Sequence, residues 1–491
     1  MGSRGLSTSP YHVSGTLPLI IGGKEVFTEK TFPVISPLTG KEVWTSSAAS
    51  RKEAIAAAEA AHKAFPAWSK TKPAERRDIF LRTAAVIERR REEFNYIINQ
   101  EIGASEFFQD FMLALSIEGL KDTAGKIADA VQGQVPVSIH DGMKAIIYKV
   151  PYGVVLGIAP WNAPYHLGLR SITFALATGN TAVLKGPEFS PRCYWAIVDA
   201  FREAGLPDGV LNLIHHQTSD AVEVTGALIA HPAVRKINFT GSTAVGKAIA
   251  SEAGKYMKPV LMELGGKASA IVLPDADLDL AALETAKGAF INAGQICMST
   301  ERILVHSSIA DTFKERLQQT VNQVFGEGAT SGLPVVSSIS ANKNRRLLAN
   351  AVDKGASLLS GEDGSKQTAE VTNFIRPTIL ANVDPKMDIY AQESFGPSVS
   401  LFTFETEQEA IELANNTDYG LSAGIFSRDL GKAFRVADAL ESGAVHINSM
   451  TVHDEFGLPH GGVKSSGYGR FNGTQGLEEF LYSKTVTWME S

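Results

Sequence analysis

The chain has 491 residues, 44% of them hydrophobic and 20% charged, which fits large buried cores in two or more domains. Its net charge of -7 argues against a nucleic-acid partner or an anionic membrane surface. Two distant cysteines give no disulfide framework and fit a reducing compartment. No apolar run reaches the roughly 18 residues of a membrane helix, and Met1 to Thr16 lacks a signal-peptide core. We therefore expect a cytoplasmic protein with no membrane partner and a loosely held N-terminus of about 15 residues.

The first elements that the sequence predicts are helices. Ser50 forms a capping box with a glutamate three residues later, ahead of an Ala-rich helix at 51–65. Pro73 opens a long helix that continues to about Gln100. A third helix is expected at 106–129.

Short apolar runs then alternate with helical stretches. The predicted strands cover 144–150, 154–158, 181–184, 211–214, 236–239 and 260–263 in a first series, and 270–273, 303–305, 399–402 and 445–447 in a second. This alternation is typical of parallel sheets covered by helices on both faces. We therefore predict an α/β fold with two α/β domains and a boundary near Gly265.

The stretch from Phe290 to Arg302 holds Cys297, a candidate nucleophile. A single cysteine is more often a small buried apolar side chain than a reactive group. Here Gly294 permits a close backbone approach just before the thiol, and an apolar helix-like run leads to it. A thiolate attacks a carbonyl carbon when its pKa is lowered or a base takes its proton. The other cysteine, Cys193, begins an amphipathic helix and is interpreted as packing.

Polar motifs follow the predicted strands at the ends where open parallel sheets bind ligands. Asn162 comes after the strand at 154–158, and it either caps the next helix or donates a hydrogen bond to an oxyanion. Lys185 and Glu188 follow the next strand. They form either a surface ion pair or a set of contacts to the ribose hydroxyls and a phosphate of a nucleotide.

Two further motifs follow later strands. Phe239 to Gly246 is a strand that enters a glycine turn and opens a helix, whose free N-terminal amides suit pyrophosphate. The dinucleotide fingerprint G-x-G-x-x-G is absent from the chain. Glu263 ends an apolar strand. Burial raises the pKa of a carboxylate, as a general base near neutrality requires, and the alternative is a glutamate that caps the following Gly-Gly turn.

Eight motifs in order resemble those of the NAD(P)-dependent aldehyde dehydrogenases, over about 310 residues of this chain. They are Pro160-Trp161-Asn162, Lys185-x-x-Glu188, Phe239 to Gly246, Glu263 to Lys267, Gly294-Gln295-x-Cys297, Glu393 to Pro397, Asn416 to Ser422 and Gly461 to Arg470. The resemblance implies that Cys297 attacks the aldehyde, that Asn162 and the Cys297 amide hold the oxyanion, and that hydride transfer leaves a thioester. Glu263 then activates the hydrolytic water, Lys185 is counted with these catalytic residues, and no metal ligand is implied.

The same resemblance implies an NAD site in a variant Rossmann domain. Its expected contacts are Ile158, Ala159, Trp161, Lys185, Glu188, Gly241, Ser242, Val245, Leu264, Glu393 and Phe395. Lys185 and Glu188 would hold the adenosine ribose, Gly241 and Ser242 the pyrophosphate, and Glu393 with Phe395 the nicotinamide ribose side. NAD is favoured over NADP because the carboxylate at position 188 repels a 2′-phosphate.

The family's architecture implies three parts. These are an NAD-binding domain at 1–126 and 151–264, a catalytic domain at 265–472 and a small β oligomerisation element at 127–150 and 473–491. The expected assembly is a homodimer or a homotetramer.

The motif details look most like the salicylaldehyde and vanillin dehydrogenases, which oxidise aromatic aldehydes. The expected substrate contacts are Tyr165, His166, Arg170, Ile296 and Met298. For Arg170 a helix-surface or interface ion pair stays open, and His460 stands where the family often has phenylalanine. An aliphatic aldehyde or semialdehyde specificity is the main alternative. Glu263 argues against an enzyme that passes the thioester to coenzyme A.

Overall fold

The chain forms two compact units in a computed structural model that describes residues 15–365 and 373–490. Unit 1 comprises the chain up to Val131 together with Pro151–Arg235, and unit 2 comprises Gln132–Val150 and Lys236 onward. The N-terminal segment predicted to be loosely held lies almost entirely outside the described residues. The division into NAD-binding, catalytic and oligomerisation parts is a functional one, and it stays a prediction.

Unit 1 consists of helices around a sheet whose strands are short. Its elements are β1 (Thr16–Leu17), β2 (Leu19–Ile21), β3 (Lys24–Val26), β4 (Thr31–Ile35), β5 (Glu42–Ser47), α1 (Arg51–Trp68), α2 (Pro73–Arg89), α3 (Arg91–Ile102), α4 (Glu106–Ala130), β7 (Val154–Ile158), α5 (Pro164–Ala177), β8 (Thr181–Lys185), α6 (Pro191–Glu203), β9 (Leu211–Ile214) and α7 (Ala221–Ala230). The capping box predicted before α1 is present.

The sheet of unit 1 has the strand order β3-β2-β9-β8-β7. β7, β8 and β9 are parallel, and β2 and β3 run antiparallel at the edge. Every residue of β7 and β9 is buried, as is every residue of helix α5. Continuous apolar strands are expected where helices cover both faces of a parallel sheet.

The long helix predicted from Pro73 is interrupted. α2 ends at Arg89 and α3 begins at Arg91, because Arg90 leaves helical geometry with φ -96° and ψ 19°. Its guanidinium donates to Glu93 Oε2 at 2.9 Å and to Asp199 Oδ2 at 2.8 Å. These carboxylates raise the pKa of Arg90 although burial opposes them.

Unit 2 contains the remaining elements. They are β6 (Met143–Pro151), β10 (Val234–Thr240), α8 (Thr243–Lys255), β11 (Val260–Glu263), β12 (Ala268–Val272), α9 (Leu278–Phe290), β13 (Thr300–His306), α10 (Ala310–Phe325), α11 (Glu327–Ser331), β14 (Leu333–Pro334), α12 (Ser338–Asp353), β15 (Ser357–Ser360), β16 (Phe374–Ile375), β17 (Thr378–Ala381), α13 (Asp388–Ala391), β18 (Ser398–Phe404), α14 (Glu407–Asn415), β19 (Tyr419–Gly420), β20 (Ser422–Phe426), α15 (Leu430–Ala439), β21 (Ala444–Ile447), β22 (Val463–Lys464), β23 (Gly467–Tyr468), α16 (Gly473–Glu478) and β24 (Leu481–Met489). The first two residues of β10 and the last residue of β6 belong to unit 1 by contacts.

A seven-stranded sheet forms the centre of unit 2, in the order β15-β17-β18-β13-β12-β20-β21. Its strands are parallel except for the edge strand β15. Alternate side chains of the central strands face opposite sides: Ala270 and Ile303 pack with α9 and α10, whereas Ile271 and Leu304 pack with α14 and α15. This sheet, covered on both faces, confirms the second α/β series predicted from the sequence.

Two smaller groups of strands complete unit 2. β11 pairs in parallel with β10 and antiparallel with β23. β6 and β24 form a two-stranded sheet of their own. None of the helices within 15–365 and 373–490 is long and apolar enough to cross a lipid bilayer.

Candidate active site

The backbone before Cys297 turns through three successive left-handed residues. Helix α9 ends at Phe290, and Asn292, Ala293 and Gly294 have φ values of 51°, 56° and 69°. A Cβ on Gly294 would lie 2.2 Å from the carbonyl oxygen of Gly396, so this position requires glycine. The turn ends α9 sharply and leads the chain to Cys297 within three residues.

Hydrogen bonds from Gln295 hold this turn in place. The side chain is fully buried; its Nε2 donates to the Asn292 carbonyl at 2.9 Å, and its Oε1 accepts from the Val336 amide at 2.9 Å. Cys297 is partly exposed between its buried neighbours. Cys193 is fully buried, as predicted, and burial raises the pKa of its thiol well above the usual range. Cys297 is therefore the cysteine that solvent and small molecules reach.

Glu263 ends β11 and is fully buried. The residues that follow it run directly against the nucleophile's backbone, since a Cβ on Gly266 would lie 2.2 Å from the Cys297 carbonyl oxygen. The strand pairing agrees, because Ala268 of β12 lies opposite Thr300 of β13. The carboxylate and the thiol thus belong to neighbouring segments of unit 2.

The turn after Glu263 donates to a second carboxylate, that of Glu393. The Gly266 amide lies 2.8 Å from Glu393 Oε1, and a Cβ on Gly265 would lie 2.7 Å from Glu393 Oε2. Loss of surrounding water, followed by the nearby charge of Glu301, raises the pKa of Glu393 to about 7. The glycines at 265 and 266 therefore leave room for the backbone and this side chain to approach closely.

Glu301 lies at the centre of a buried network that the sequence did not reveal. Its Oε2 accepts from Lys267 Nζ at 2.5 Å, and its Oε1 accepts from the amides of Ser394 at 2.8 Å and Phe395 at 3.1 Å. Lys267 Nζ also donates to the Gln392 carbonyl at 2.8 Å. Burial lowers the pKa of Lys267, and the charge of Glu301 opposes that shift.

Helix α8 begins at the glycine turn predicted to bind pyrophosphate. Ser242 is its N-cap, with the hydroxyl accepting from the Val245 amide at 3.5 Å, and the Gly241 amide donates to the Glu263 carbonyl at 3.1 Å. A Cβ on Gly246 would lie 2.5 Å from Leu264 Cδ2, so glycine is needed where the helix packs on that side chain. The turn, the helix start and the Glu263 strand end are thus joined within unit 2.

In unit 1, the predicted adenosine contacts lie at neighbouring strand ends. Ile158 of β7 is registered with Lys185 of β8. Burial lowers the pKa of Lys185, and the charge of Glu188 opposes that shift. Glu188 Oε1 accepts from the Thr218 hydroxyl at 2.5 Å. The surroundings of Lys185 are therefore not those of a solvent-exposed surface lysine.

Three of the predicted substrate contacts, Tyr165, His166 and Arg170, lie on helix α5. Ala163, not Asn162, is the N-cap of this helix. The Tyr165 hydroxyl donates to the Phe94 carbonyl at 2.7 Å, inside the core of unit 1. His166 and Arg170 are also buried, so a solvent-exposed helix surface is excluded for Arg170. The engaged hydroxyl of Tyr165 does not support a direct polar contact to substrate.

Thr451 contacts the nucleophile segment and was not singled out from the sequence. Its hydroxyl donates to the Met298 carbonyl at 2.6 Å and lies 2.8 Å from the Thr300 hydroxyl. The Ser422 hydroxyl donates to the Thr451 carbonyl at 2.6 Å. Nothing in the local pattern distinguishes this threonine, because its role arises from residues about 150 positions away.

The segments on both sides of Thr451 carry several titratable groups. The rings of His446 and His453 are 4.9 Å apart, and His460 Nδ1 lies 3.8 Å from Asp454 Oδ1. Burial, followed by the neighbouring His453, lowers the pKa of His446 to about 4. His460 is buried and pairs through its backbone with Phe471.

The fold and these residues define a class of protein, a two-unit α/β enzyme with one accessible cysteine beside a buried carboxylate. The aldehyde dehydrogenase family profile matches residues 26–486. Vanillin dehydrogenase of Pseudomonas fluorescens is 43% identical over 479 residues, covering 96% of this chain and 97% of the relative. The chain belongs to the aldehyde dehydrogenase family.

Solved structures agree with this membership. Salicylaldehyde dehydrogenase from Pseudomonas putida G7, complexed with salicylaldehyde, has a TM-score of 0.92 and 36% identity, covering 97% of this chain and 99% of that one. Betaine aldehyde dehydrogenase from Staphylococcus aureus, in complex with NAD+, has a TM-score of 0.90 and 33% identity, covering 96% and 94%. The protein is therefore an aldehyde dehydrogenase, as the motif series predicted.

Proposed function

We propose that Cys297 is the nucleophile, Glu263 the general base for hydrolysis and Asn162 an oxyanion donor. The Cys297 thiolate forms a C–S bond to the aldehyde carbon, and the carbonyl oxygen becomes an oxyanion that accepts from the Asn162 amide and the Cys297 backbone N–H. When a hydride leaves that carbon, a thioester remains on Cys297. Glu263 takes a proton from water, whose oxygen then displaces the thiolate and gives the carboxylic acid.

The observation that carries this proposal is the pairing of a partly exposed thiol with a buried carboxylate on adjoining segments. Cys297 lies after a left-handed turn that exposes it, and the Gly266 backbone touches its carbonyl three residues after Glu263. Such a carboxylate is shielded from bulk water and ends a strand whose next residues lie against the backbone of the residue that would carry the acyl group.

The residues present fit a dinucleotide. The amides at the start of α8 and the close approach at Gly246 suit a pyrophosphate, and the Lys185 ammonium with the Glu188 carboxylate suits ribose hydroxyls. When bound, NAD accepts the hydride that leaves the substrate carbon. We further propose that Ile158, Ala159, Trp161, Val245 and Leu264 contact the cofactor, with Glu393 and Phe395 at its nicotinamide ribose.

We propose an aromatic aldehyde as the substrate. The names of the similar proteins, a vanillin and a salicylaldehyde dehydrogenase, support this class. Ile296 and Met298 are buried apolar side chains on either side of Cys297 and suit a ring. Arg170 is a buried cation on the helix that follows Asn162, and it would meet a phenolate or a carboxylate on the ring. An aliphatic aldehyde or a semialdehyde remains the alternative.

The substrate class is tested by measuring NADH formation with salicylaldehyde, vanillin and benzaldehyde against short and long aliphatic aldehydes and succinic semialdehyde, each with NAD and with NADP. We expect a kcat/KM preference of about ten-fold or more for the aromatic set, equivalent to about 1.4 kcal/mol of transition-state discrimination. A preference for aliphatic or charged aldehydes would retain the mechanism and reject the aromatic assignment.

The catalytic roles are tested by two variants. Cys297→Ala should abolish dehydrogenase activity and leave NADH binding intact. Glu263→Gln should form the thioester once and then stall, giving a burst of about one NADH per active site. If Cys297→Ala turns over at the parental rate, Cys297 is not the nucleophile. If Glu263→Gln turns over at the parental rate, another group activates the hydrolytic water.

We also propose that the chain assembles as a homodimer or homotetramer through 127–150 and 473–491. The β6–β24 sheet supports this, because eight of the nine residues of β24 are exposed. Two isolated strands are marginally stable in water unless another surface covers them. A cytoplasmic location is part of the same proposal, since neither Cys193 nor Cys297 is in a disulfide, and cell fractionation tests it.

A further inference from the structure

Three segments of unit 2 meet at the carboxylate of Glu301. The segment after Glu263 contributes Lys267, the strand after Cys297 carries Glu301 itself, and the segment 392–395 contributes backbone groups. Lys267 and Glu301 are nearly inaccessible, with 3% and 5% of their surfaces exposed. We propose that Glu301 is a positioning residue that holds the 393–395 segment in the conformation that receives the nicotinamide half of the cofactor.

The contacts of Glu301 fix the backbone of that segment directly. Its carboxylate accepts from two successive amides, Ser394 and Phe395, at 2.8 Å and 3.1 Å. Phe395 has a left-handed φ of 51°, a conformation that costs a non-glycine residue about 1 kcal/mol or more and persists only where surrounding contacts impose it. The two amide hydrogen bonds that the Glu301 carboxylate accepts are contacts of that kind.

Lys267 pairs with the Glu301 side chain in this buried place. Its ammonium donates to Glu301 Oε2 at 2.5 Å and to the Gln392 carbonyl at 2.8 Å, so the same side chain also holds the residue before Glu393. A buried charge that loses its partner is strongly destabilising, whereas the pair is tolerated when further hydrogen bonds complete it. Lys267, Glu301 and the backbone groups of Gln392, Ser394 and Phe395 therefore form one hydrogen-bonded network.

The second carboxylate of the network, Glu393, belongs to the segment that is held. Its Oε1 accepts from the Gly266 amide at 2.8 Å, and Lys343 Nζ donates to its backbone carbonyl at 2.9 Å. Glu301 does not contact the Glu393 carboxylate through a hydrogen bond in this network; it acts on the amides of the next two residues. The inference rests on the proposed roles of Glu393 and Phe395 at the nicotinamide ribose.

A carboxylate that only stabilises a loop provides a matched control. Asp275 accepts from the amides of Arg428 at 3.2 Å and Asp429 at 3.0 Å, and from the Ser427 hydroxyl. It thus makes the same type of contact as Glu301 in the same unit, on a loop with no proposed catalytic or cofactor residue. Asp275→Asn should lower the melting temperature and leave kinetic constants unchanged.

The test compares Glu301→Gln, Glu301→Asp, Glu393→Gln and Asp275→Asn in the full-length enzyme. Titration of NADH by fluorescence gives its Kd, and steady-state kinetics give KM for NAD and for the aldehyde. We expect Glu301→Gln to raise both the NADH Kd and the KM for NAD about ten-fold, with the aldehyde KM and the alkylation rate of Cys297 by iodoacetamide within about two-fold of the parent. Glu301→Asp, which keeps the charge beside Lys267, should fall between parent and Glu301→Gln.

The possible outcomes separate the positioning role of Glu301 from the proposed cofactor role of Glu393. If Glu301→Gln binds NADH like the parent while Glu393→Gln binds it weakly, the positioning role is overturned and the proposed role of Glu393 stands. If Glu393→Gln also binds like the parent, the cofactor assignment itself fails. A parallel loss of aldehyde affinity, NADH affinity and melting temperature in Glu301→Gln would show a merely structural carboxylate. Should Glu301→Gln not fold, parental NADH affinity in Glu301→Asp overturns the inference.

Discussion

Thr451 links the backbone next to Cys297 to a distant segment through one hydroxyl. Replacing it by the isosteric valine removes the bond to the Met298 carbonyl while keeping the volume of the side chain. We expect Thr451→Val to lower kcat about ten-fold, because the nucleophile's peptide loses its fixed orientation, and to lower the free energy of unfolding by about 1 kcal/mol. Stopped-flow measurement of thioester formation checks the first effect, and thermal melting checks the second.

Two companion variants separate position from stability at Thr451. Thr451→Ser restores the hydroxyl and should recover most of the lost rate. Ser422→Ala removes the bond to the Thr451 carbonyl without touching the Met298 carbonyl, so it should lower stability by a similar amount with a smaller effect on kcat. Equal losses of kcat in Ser422→Ala and Thr451→Val would contradict a specific role for the Met298 contact.

The raised pKa of Glu393 predicts that the stability of the cofactor-free protein depends on pH. Its pKa is about 7 in the folded chain and close to the ordinary 4.5 in the unfolded chain. The folded state therefore binds this proton more tightly, so the carboxyl group's contribution to the free energy of unfolding falls as pH rises from about 4.5 and is fully lost above about 7.

The comparison of parent and Glu393→Gln isolates this group. The amide does not titrate, so the melting temperature of Glu393→Gln relative to the parent should rise between about pH 5 and pH 7 and level off at higher pH. Other titrating groups, His446 among them, contribute equally to both proteins and cancel in the difference. A difference that is constant with pH would show that Glu393 does not titrate in this range in the folded protein.

The turn at the end of α9 is the element on which presentation of Cys297 depends. Gly294→Ala places a methyl group against the Gly396 carbonyl and imposes a left-handed φ on alanine. We expect it to displace the turn, reduce kcat at least about 100-fold and lower stability by more than about 1 kcal/mol. Activity and melting temperature measured on the purified variant check both effects.

The control for Gly294→Ala lies in helix α7 of unit 1. Gly226 has no atom within 4 Å of a built Cβ and is helical, so Gly226→Ala should leave kcat unchanged and stabilise the protein by about 0.4 to 1 kcal/mol. If Gly294→Ala and Gly226→Ala have the same kcat and melting temperature, the left-handed geometry of Gly294 is not needed for activity.

Elements with a strong local signal were predictable, and elements set by distant contacts were not. β7 and β8 are continuous apolar runs bounded by turn residues, and the sequence predicted both of them. The break at Arg90 was missed, and the contact of its guanidinium with Asp199 on α6, 109 positions away, is one that local pattern does not show. β1, β2 and β3 were missed because strands of two or three residues are too short for a clear alternation of side chains, whereas β4 alternates exposed and buried residues and was missed all the same.

The same distinction applies to the candidate site. Cys297, Glu263 and Asn162 follow recognisable strand ends or turns, so the motifs indicated them. Glu301 and Thr451 act through residues 90 to 150 positions away, and nothing beside them in the sequence marks those contacts. Local pattern therefore predicts the residues proposed to carry the chemistry better than the residues that orient them.

At the scale of the whole molecule, the exposed face of the 127–150 segment predicts assembly. Val137 and Ile139 expose 97% and 94% of their surfaces, and Val135 beside them is also exposed. On β24, Val486, Trp488 and Met489 are exposed as well. Several exposed apolar side chains on and beside a two-stranded sheet are typical of an interface, because their contact with water is unfavourable and an edge strand can pair with another chain.

Light scattering of the purified chain during gel filtration should therefore give the mass of a dimer or a tetramer. Val137→Lys combined with Ile139→Lys places two ammonium groups in the proposed interface, where burial without partners costs several kcal/mol, and should shift the mass to a smaller species. Val222→Lys is the matched control, because Val222 is 90% exposed on unit 1 outside the proposed element. A monomeric parent would refute assembly. An unchanged mass in the double variant would show that the interface does not include Val137 and Ile139. If the smaller species also loses thermal stability while Val222→Lys does not, the β6–β24 sheet depends on its partner for part of its own stability.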